Sequence, residues 1–587
     1  MLSLENRLRV ITLFLVLFAL LLVSKLYFLQ IIQGEEFRAK AEHQYVAGIN
    51  YFARGSIFFT TKDGTLVPGA TVRSGFTLSV NPNILAPLPN LDEIYGKLNA
   101  LVPMEKATFL SKAKKAGDPY EELAKRLDSP TAEAIQSLKF TGVSVTRERW
   151  RTYPGETMAA HTLGLIGYDD GNELAGRYGL ERFYEDTLKR DGDEVFVNFF
   201  AEIFSNLRSA VTEGQGAEGD IVTTIEPSVE AFLERELNEV TNTYSSEFTG
   251  GIIIDPHTGE IRAMALTPTF DPNSPASAKN ASVFTNKLVE GRYEMGSIVK
   301  AFTYAIGLQE KAITAKTTYN DPGCLTLNTK TFCNYDGASH GSSVSMQSAL
   351  GQSLNTGAAF VVSKVGTKKF SEDLLSFGLE EKTGIDLPNE GNSLVSNLHT
   401  NRELEAAQAS FGQGIALTPV GIVRALSVLA NGGTLITPHL VKKIDYKIGP
   451  AKTISYPAPE ERTRVISEET SAAISQMLTE VVDRSLRFGD MRLENYSIAA
   501  KTGTAQIAAP TGGYYADRYL HSFFGYFPAY NPEYLVFLYT YYPKNVQYAS
   551  ETLTDSFFNI AKFLINYYEI PPDREKAPEP DQTLRNY

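Results

Sequence analysis

The first pattern along the chain is an apolar run. Val10 to Val23 is hydrophobic apart from Thr12; Ser24 and Lys25 interrupt the run, and Leu26–Leu29 with Ile31 and Ile32 resume it. Carried through Lys25, the segment has the roughly 20 residues needed to cross a bilayer core. Lys25 lies late enough in it for the side chain to snorkel to the interface. Arg7 and Arg9 precede the run, so the short tail is expected to stay cytoplasmic and the body to be exported. No small-x-small cleavage site follows the apolar core. The expectation is therefore a single uncleaved transmembrane helix over 10–32 behind a tail at 1–9, rather than a cleaved signal peptide.

Residues 33–50 continue with helical spacing of Glu, Arg and Lys. Val72, Phe76, Leu78 and Val80 alternate as in a half-buried strand, and 92–140 reads as short amphipathic helices rich in Ala, Lys, Glu and Leu. Strand-like patterns return from Thr141 to about Asp220. This α+β region, 33–220, has no cluster of reactive residues and reads as a pedestal or interaction module. From 221 the pattern changes. Pro227 suits the first turn of an amphipathic helix running to about Val240. Gly250–Ile254 and Glu260–Leu266 flank a turn at Asp255–Gly259. Three further strands are expected far downstream, at Ser497–Gln506, Ser522–Phe527 and Leu535–Tyr542, followed by a helix from Leu553 to Tyr568. Residues 297–440 between them are mainly helical. Strands at both ends with helices between predict one sheet in a layered α/β domain over 221–570. The Pro- and Glu-rich stretch 571–587 is expected to be a disordered tail.

Composition narrows the chemistry. The 587 residues carry a formal charge of −13, which argues against a nucleic-acid partner. The seven histidines form no His-Glu-x-x-His pair, so a zinc hydrolase is not expected. The two cysteines, Cys324 and Cys333, are too few for a Cys₄ metal site. They bracket an alternating run with Asn-Thr at its centre, a hairpin whose ends meet. In an exported body a local disulfide is the expectation, against two isolated thiols.

Three short motifs carry candidate chemistry. Ser297 and Lys300 precede a nearly all-apolar helix (Ala301, Phe302, Tyr304, Ala305, Ile306, Leu308). The i, i+3 spacing puts both on one face. A desolvated lysine loses its proton and serves as a base, and a serine at a helix start lies in a field that favours an oxyanion. Ser353-Leu354-Asn355 reads alone as a cap or turn. Lys501-Thr502-Gly503-Thr504 lies in a strand of small residues, where glycine marks close approach by a ligand or a backbone. A cation beside two hydroxyls there suits a carboxylate. Each motif alone fits a structural role, but the ordered set Ser-x-x-Lys, Ser-x-Asn, Lys-Thr-Gly is that of penicillin-interacting serine enzymes. Gly337-Ala338-Ser339-His340-Gly341 matches Gly-x-Ser-x-Gly, yet polar residues flank it on both sides. It reads as a loop rather than an α/β-hydrolase nucleophile elbow.

Nearly the whole chain resembles a class B penicillin-binding protein, a bitopic peptidoglycan D,D-transpeptidase. Tyr293-Glu294-Met295-Gly296-Ser297-Ile298-Val299-Lys300, with Met295 where the family has proline, Ser410–Pro419 and Lys501–Gln506 carry the likeness. So do Arg54-Gly55-Ser56-Ile57, Tyr153-Pro154, Ala160-His161 and Gly179-Leu180-Glu181 in the pedestal. Phe58–Gly64 departs from the family's shorter segment. The resemblance implies a β-lactamase-like domain with a central antiparallel sheet flanked by helices. It implies Ser297 as nucleophile, Lys300, Ser353, Asn355 and Lys501 as its catalytic companions, and Thr502, Gly503 and Thr504 as substrate-binding. The backbone N–H groups of Ser297 and Thr504 would form the oxyanion hole. Which lysine is the base stays open. No metal or cofactor is implied. The implied partners are stem peptides on lipid-linked glycan strands, β-lactams, a SEDS-family glycosyltransferase and other division or elongation membrane proteins, with a division-type role favoured. The alternatives are a D,D-carboxypeptidase or β-lactamase on the same fold, and a noncatalytic penicillin-sensing scaffold.

Overall fold

The computed structural model describes residues 52–578 together with Phe18 and Lys25, apart from 116, 170–172, 191–217, 279, 448–449, 455 and 459–460. The expected anchor over 10–32 otherwise lies outside the described residues. Among the described residues no helix is long and apolar enough to cross a membrane. The described residues form two units, a smaller one centred on Ser74–Arg149 and a larger one holding Arg54–Arg73, Trp150–Arg190 and the described chain from Glu218 onward.

The described chain opens with strands β1 (Ile57–Thr60) and β2 (Leu66–Val80). Strand β2 pairs with β3 (Glu121–Leu127) over Phe76–Val80, and with β4 (Val143–Thr152). Helices α1 (Leu91–Leu101), α2 (Lys106–Ala113) and α3 (Ser129–Ser137) bury Ile94, Leu98, Phe109 and Ile135 against Leu78 and Val80. The amphipathic helices expected over 92–140 are thus present, but β3 interrupts them. Its sequence, Glu-Glu-Leu-Ala-Lys-Arg-Leu, is made of good helix formers. Pairing with β2 overrides that local preference.

The larger unit is built on five antiparallel strands: β5 (Phe248–Ile254), β6 (Ile261–Thr267), β7 (Ala499–Ala508), β8 (Tyr514–Phe527) and β9 (Tyr534–Tyr541), in the order β7-β8-β9-β5-β6. The two chain-distant strand groups do close one sheet, because β9 pairs β5 along its whole length. The helices that matter here are α4 (Pro227–Thr243), α5 (Lys300–Gln309), α6 (Met346–Gly351), α7 (Asn355–Val365), α8 (Pro419–Ala430) and α9 (Thr554–Tyr568). Helix α4 starts where Glu226 accepts from the Val229 N–H at 2.7 Å, a side-chain cap with Pro227 in the first turn. Its Leu233 and Leu237 join Phe557 and Leu564 of α9 over one sheet face, with Ile253, Phe523 and Leu538. The alternate residues Ile252, Phe524 and Tyr539 face the other way, into a core shared with α5 and α8. Period-two alternation thus makes both faces apolar, and a helix–sheet–helix layering results.

Three of the pedestal motifs meet in one buried cluster. Glu181, fully buried, lies 2.5 Å from Arg54 Nε and 2.6 Å from Arg151 Nε. Arg54 also reaches Glu185 at 2.7 Å, Arg151 donates to the Gly55 carbonyl at 2.7 Å, and the Tyr153 hydroxyl donates to Glu181 at 3.2 Å. Burial pushes the Glu181 carboxyl up, but Arg151 and Arg54 together hold it below its ordinary range.

The stretch expected to be disordered from Pro571 is instead tied down at its start. Asp573 accepts from the Ser497 N–H at 2.7 Å, and the Arg574 guanidinium grips Asp483 at 2.6 and 3.0 Å. A bidentate pair with a buried carboxylate orders a segment whose composition alone reads as unstructured.

Candidate active site

Ser297 sits in a single 3₁₀ turn, Gly296–Val299, that runs directly into α5. The turn packs hard against β7. Gly296 has φ +64°, and a Cβ there would lie 2.7 Å from the Thr504 carbonyl oxygen. Gly503 is equally constrained, since its Cβ would meet Ser522 Oγ at 2.4 Å and the Met295 carbonyl at 2.7 Å. The strand glycine therefore marks close approach by backbone, and it places the turn beside the Lys-Thr-Gly strand. Met295 is fully buried, and its carbonyl accepts from Ser522 Oγ at 2.8 Å.

Lys300 opens α5 and is fully buried among its apolar neighbours. Its Nζ lies 3.0 Å from Ser297 Oγ, 3.2 Å from Ser353 Oγ and 2.5 Å from the Ser353 carbonyl. Ser353 occupies the turn between α6 and α7 with φ +58°, a conformation that non-glycine residues adopt at a cost and that often marks functional positions. That conformation aims both its hydroxyl and its carbonyl at Lys300. Lys501 Nζ approaches the same hydroxyl from β7 at 3.0 Å and donates to the Thr502 carbonyl at 3.1 Å. Ser297, Lys300, Ser353 and Lys501 thus form one continuous chain of contacts drawn from three distant segments.

The electrostatics follow from burial. Lys300 is pushed well below the ordinary lysine range, first by desolvation and then by the nearby Lys501 charge. Lys501 is lowered by desolvation to about 7. Two buried amines side by side favour a neutral Lys300 next to a serine hydroxyl.

The other expected residues line the same region. Asn355 is the first residue of α7, and its Nδ2 donates to the Cys333 carbonyl at 2.8 Å. Thr502 and Thr504 alternate with Lys501 and Gly503 along β7 and are partly exposed. The Thr504 hydroxyl accepts from the Ala549 N–H at 3.1 Å. Cys324 and Cys333 face each other across a two-stranded hairpin and are disulfide-bonded. Gly337–Gly341 is a loop leading into a short strand, not a strand-to-helix elbow.

Some partners were invisible in the sequence. Glu294 receives the Tyr514 hydroxyl at 3.0 Å and the Gly414 N–H at 3.0 Å, which pins the residues before Ser297 to β8 and to the Ser410–Pro419 stretch. Cys333 contributes a carbonyl to Asn355 as well as a sulfur to the hairpin. Neither role has a local sequence signature, since both depend on contacts between distant segments.

Comparison with known proteins agrees with this arrangement. Residues 249–561 match the family described as the penicillin-binding protein transpeptidase domain, and 52–210 match the penicillin-binding protein dimerisation domain. The chain is 29% identical over 551 residues to stage V sporulation protein D of Bacillus subtilis, covering 92% of this chain and 82% of that relative. It is 27% identical over 486 residues to the probable peptidoglycan D,D-transpeptidase FtsI of Caulobacter vibrioides, covering 82% and 74%. Among solved structures, penicillin-binding protein 2X of Streptococcus thermophilus superposes with a TM-score of 0.71 at 20% identity, over 89% of this chain and 80% of that one. Penicillin-binding protein 3 of Mycobacterium tuberculosis, complexed with aztreonam, gives 0.67 at 21% identity, over 90% and 99%. With the family match spanning more than half of its length and the serine–lysine chain at its centre, this protein belongs to the penicillin-binding protein transpeptidase family.

Proposed function

We propose that the protein is a serine D,D-transpeptidase that crosslinks peptidoglycan stem peptides through an acyl-enzyme on Ser297 and is inhibited by β-lactams. The observation that carries this reading is the contact between Ser297 Oγ and the buried Lys300 amine at 3.0 Å. A neutral Lys300 accepts the hydroxyl proton as Ser297 attacks the penultimate D-Ala carbonyl. Among the described contacts Lys300 is the amine that reaches Ser297 Oγ, which makes it the base of choice. The N–H groups of Ser297 and Thr504 stabilise the tetrahedral oxyanion, with each such donor worth about 3–4 kcal/mol. The C–N bond then breaks, and the proton travels from Lys300 through Ser353, beside Lys501, to the departing D-Ala amine. Thr502 and Thr504 hydroxyls, with the Lys501 charge close by, hold the terminal carboxylate, and Asn355 takes the peptide N–H. An amine from a second strand attacks the acyl carbonyl and gives up a proton to Lys300, the Ser297 ester C–O bond breaks as Lys300 returns that proton to Ser297 Oγ, and the crosslink is released.

The anchor over 10–32 would hold this body on the extracytoplasmic side of the plasma membrane as a single-pass protein. The pedestal over 33–220 would then serve a SEDS-family glycosyltransferase and other division or elongation membrane proteins as a docking module. A product assay with a pentapeptide donor and an amine acceptor tests the function. Crosslinked dimer plus free D-Ala is the expected outcome. Free D-Ala without dimer would make the enzyme a carboxypeptidase, and rapid turnover of penicillin would make it a β-lactamase.

A further inference from the structure

The loop carrying the Gly-x-Ser-x-Gly pattern is connected to the active site. Its Ser339 hydroxyl and His340 N–H contact Asp321, the last residue of a short strand at Thr318–Asp321, which is only 1% exposed. Its carboxylate accepts from Thr356 Oγ1 at 2.7 Å, from Asn334 Nδ2 at 3.0 Å, and from the Gly323 and His340 N–H groups at 3.0 and 2.9 Å. It also lies 2.8 Å from His340 Nδ1, whose other ring nitrogen is 3.2 Å from Asp336. Asn334 Oδ1 in turn accepts from the Thr356 N–H at 3.2 Å, and Tyr319 OH lies 3.0 Å from Thr356 Oγ1. Desolvation raises the Asp321 carboxyl, but the Thr356 hydroxyl, the two backbone N–H groups and His340 outweigh it and bring it to about 2. A buried, ionised carboxylate so fully engaged is a rigid anchor.

What it anchors is specific. Thr356 follows Asn355 in the chain, and Asn334 follows Cys333. Cys333 and Asn355 are the two ends of the 2.8 Å contact that orients the Asn355 amide. Asp321 therefore grips the neighbour on each side of that contact. With one Nδ2 hydrogen on the Cys333 carbonyl, the Asn355 amide is oriented, and its Oδ1 and second N–H are left for a substrate peptide group.

We propose that Asp321, braced by His340, is a positioning residue for the acylation step, acting through Thr356 and Asn334 to fix the side chain of Asn355. The proposal rests on the transpeptidase reading, in which Asn355 touches the substrate. The mechanism does not otherwise use Asp321, Asn334 or His340.

The test is a double-mutant cycle read as the rate of acylation by fluorescent penicillin, below the melting transition of every variant. Asp321→Asn keeps the shape but removes the charge and turns one accepting oxygen into a donor, and should slow acylation about 10- to 100-fold, the scale of a misplaced reacting group. In an Asn355→Ala background the same substitution should add almost nothing. His340→Ala should slow the wild-type enzyme, while His340→Asn, which offers a donor near the Nδ1 position, should stay close to wild type. An equal slowing by Asp321→Asn in both backgrounds would overturn the proposal. So would a lowered melting temperature with an unchanged rate. If Asp321→Asn does not fold, His340→Ala takes its place in the cycle with the same two readings. Failure of the wild-type protein to be acylated would count against the transpeptidase reading itself and is distinct from an additive cycle.

Discussion

Replacing Lys300 with methionine is expected to lower the rate of acylation by penicillin by about 10⁴-fold, the upper range for loss of a positioned base, without lowering the melting temperature. The two halves of this prediction have one cause. Lys300 is fully buried, and burial together with Lys501 pushes it well below the ordinary lysine range. Between the depressed folded value and the ordinary unfolded one, the unfolded chain binds a proton at this position that the folded chain does not. Stability therefore rises with pH between the depressed folded value and the ordinary unfolded one. Methionine fills a similar volume and removes that penalty, which offsets the lost contact with the Ser353 carbonyl. Scanning fluorimetry and stopped-flow acylation read the two effects separately. In the wild-type enzyme, acylation should rise with pH as Lys300 loses its proton. It should fall again above about 7, where Lys501 ceases to be a cation. A methionine variant that acylates at the normal rate would remove Lys300 from the role of base.

The second large effect concerns stability. Glu181→Gln leaves Arg54 and Arg151 buried, each with about 1% of its side chain exposed, and without their shared carboxylate. Breaking a buried charge cluster in this way costs about 3–5 kcal/mol. The denaturant midpoint should fall accordingly. The sign with pH is also set. Because Glu181 is held below its ordinary range, its contribution is present above the unfolded glutamate value and disappears as pH falls through the folded one. The gap between wild type and variant should therefore close on acidification. A gap that persists unchanged at low pH would mean that packing, not charge, holds the cluster.

The sheet of the larger unit was legible because its strands are apolar on both faces and bounded by turn residues. Phe248–Ile254 and Tyr534–Tyr541 are almost wholly buried, and that is what an uninterrupted hydrophobic run records. Glu121–Leu127 was not legible, because a charged strand of helix-forming residues differs from a helix only in its pairing with β2. The order at the start of the expected tail was not legible for the opposite reason, since the contacts of Asp573 with Ser497 and of Arg574 with Asp483 outweigh a disorder-prone composition there. The catalytic motifs could be found one by one, and their chemistry follows from residue type. Their assembly could not be read, because the positive φ of Ser353, which turns its hydroxyl and carbonyl toward Lys300, depends on the fold around it. The pedestal motifs show the same limit. Arg54, Arg151 and Glu181 are far apart in the chain, and no local pattern says that they share one carboxylate.

The central claim is that Ser297 is the nucleophile, and peptide mapping of the penicilloyl-enzyme tests it most directly. The protein is labelled with fluorescent penicillin, digested, and the adduct located by mass spectrometry. The account predicts a single adduct on Ser297 and no labelling of Ser297→Ala. An adduct on Ser339 or Ser353, or a Ser297→Ala protein that still takes up the label, would contradict it.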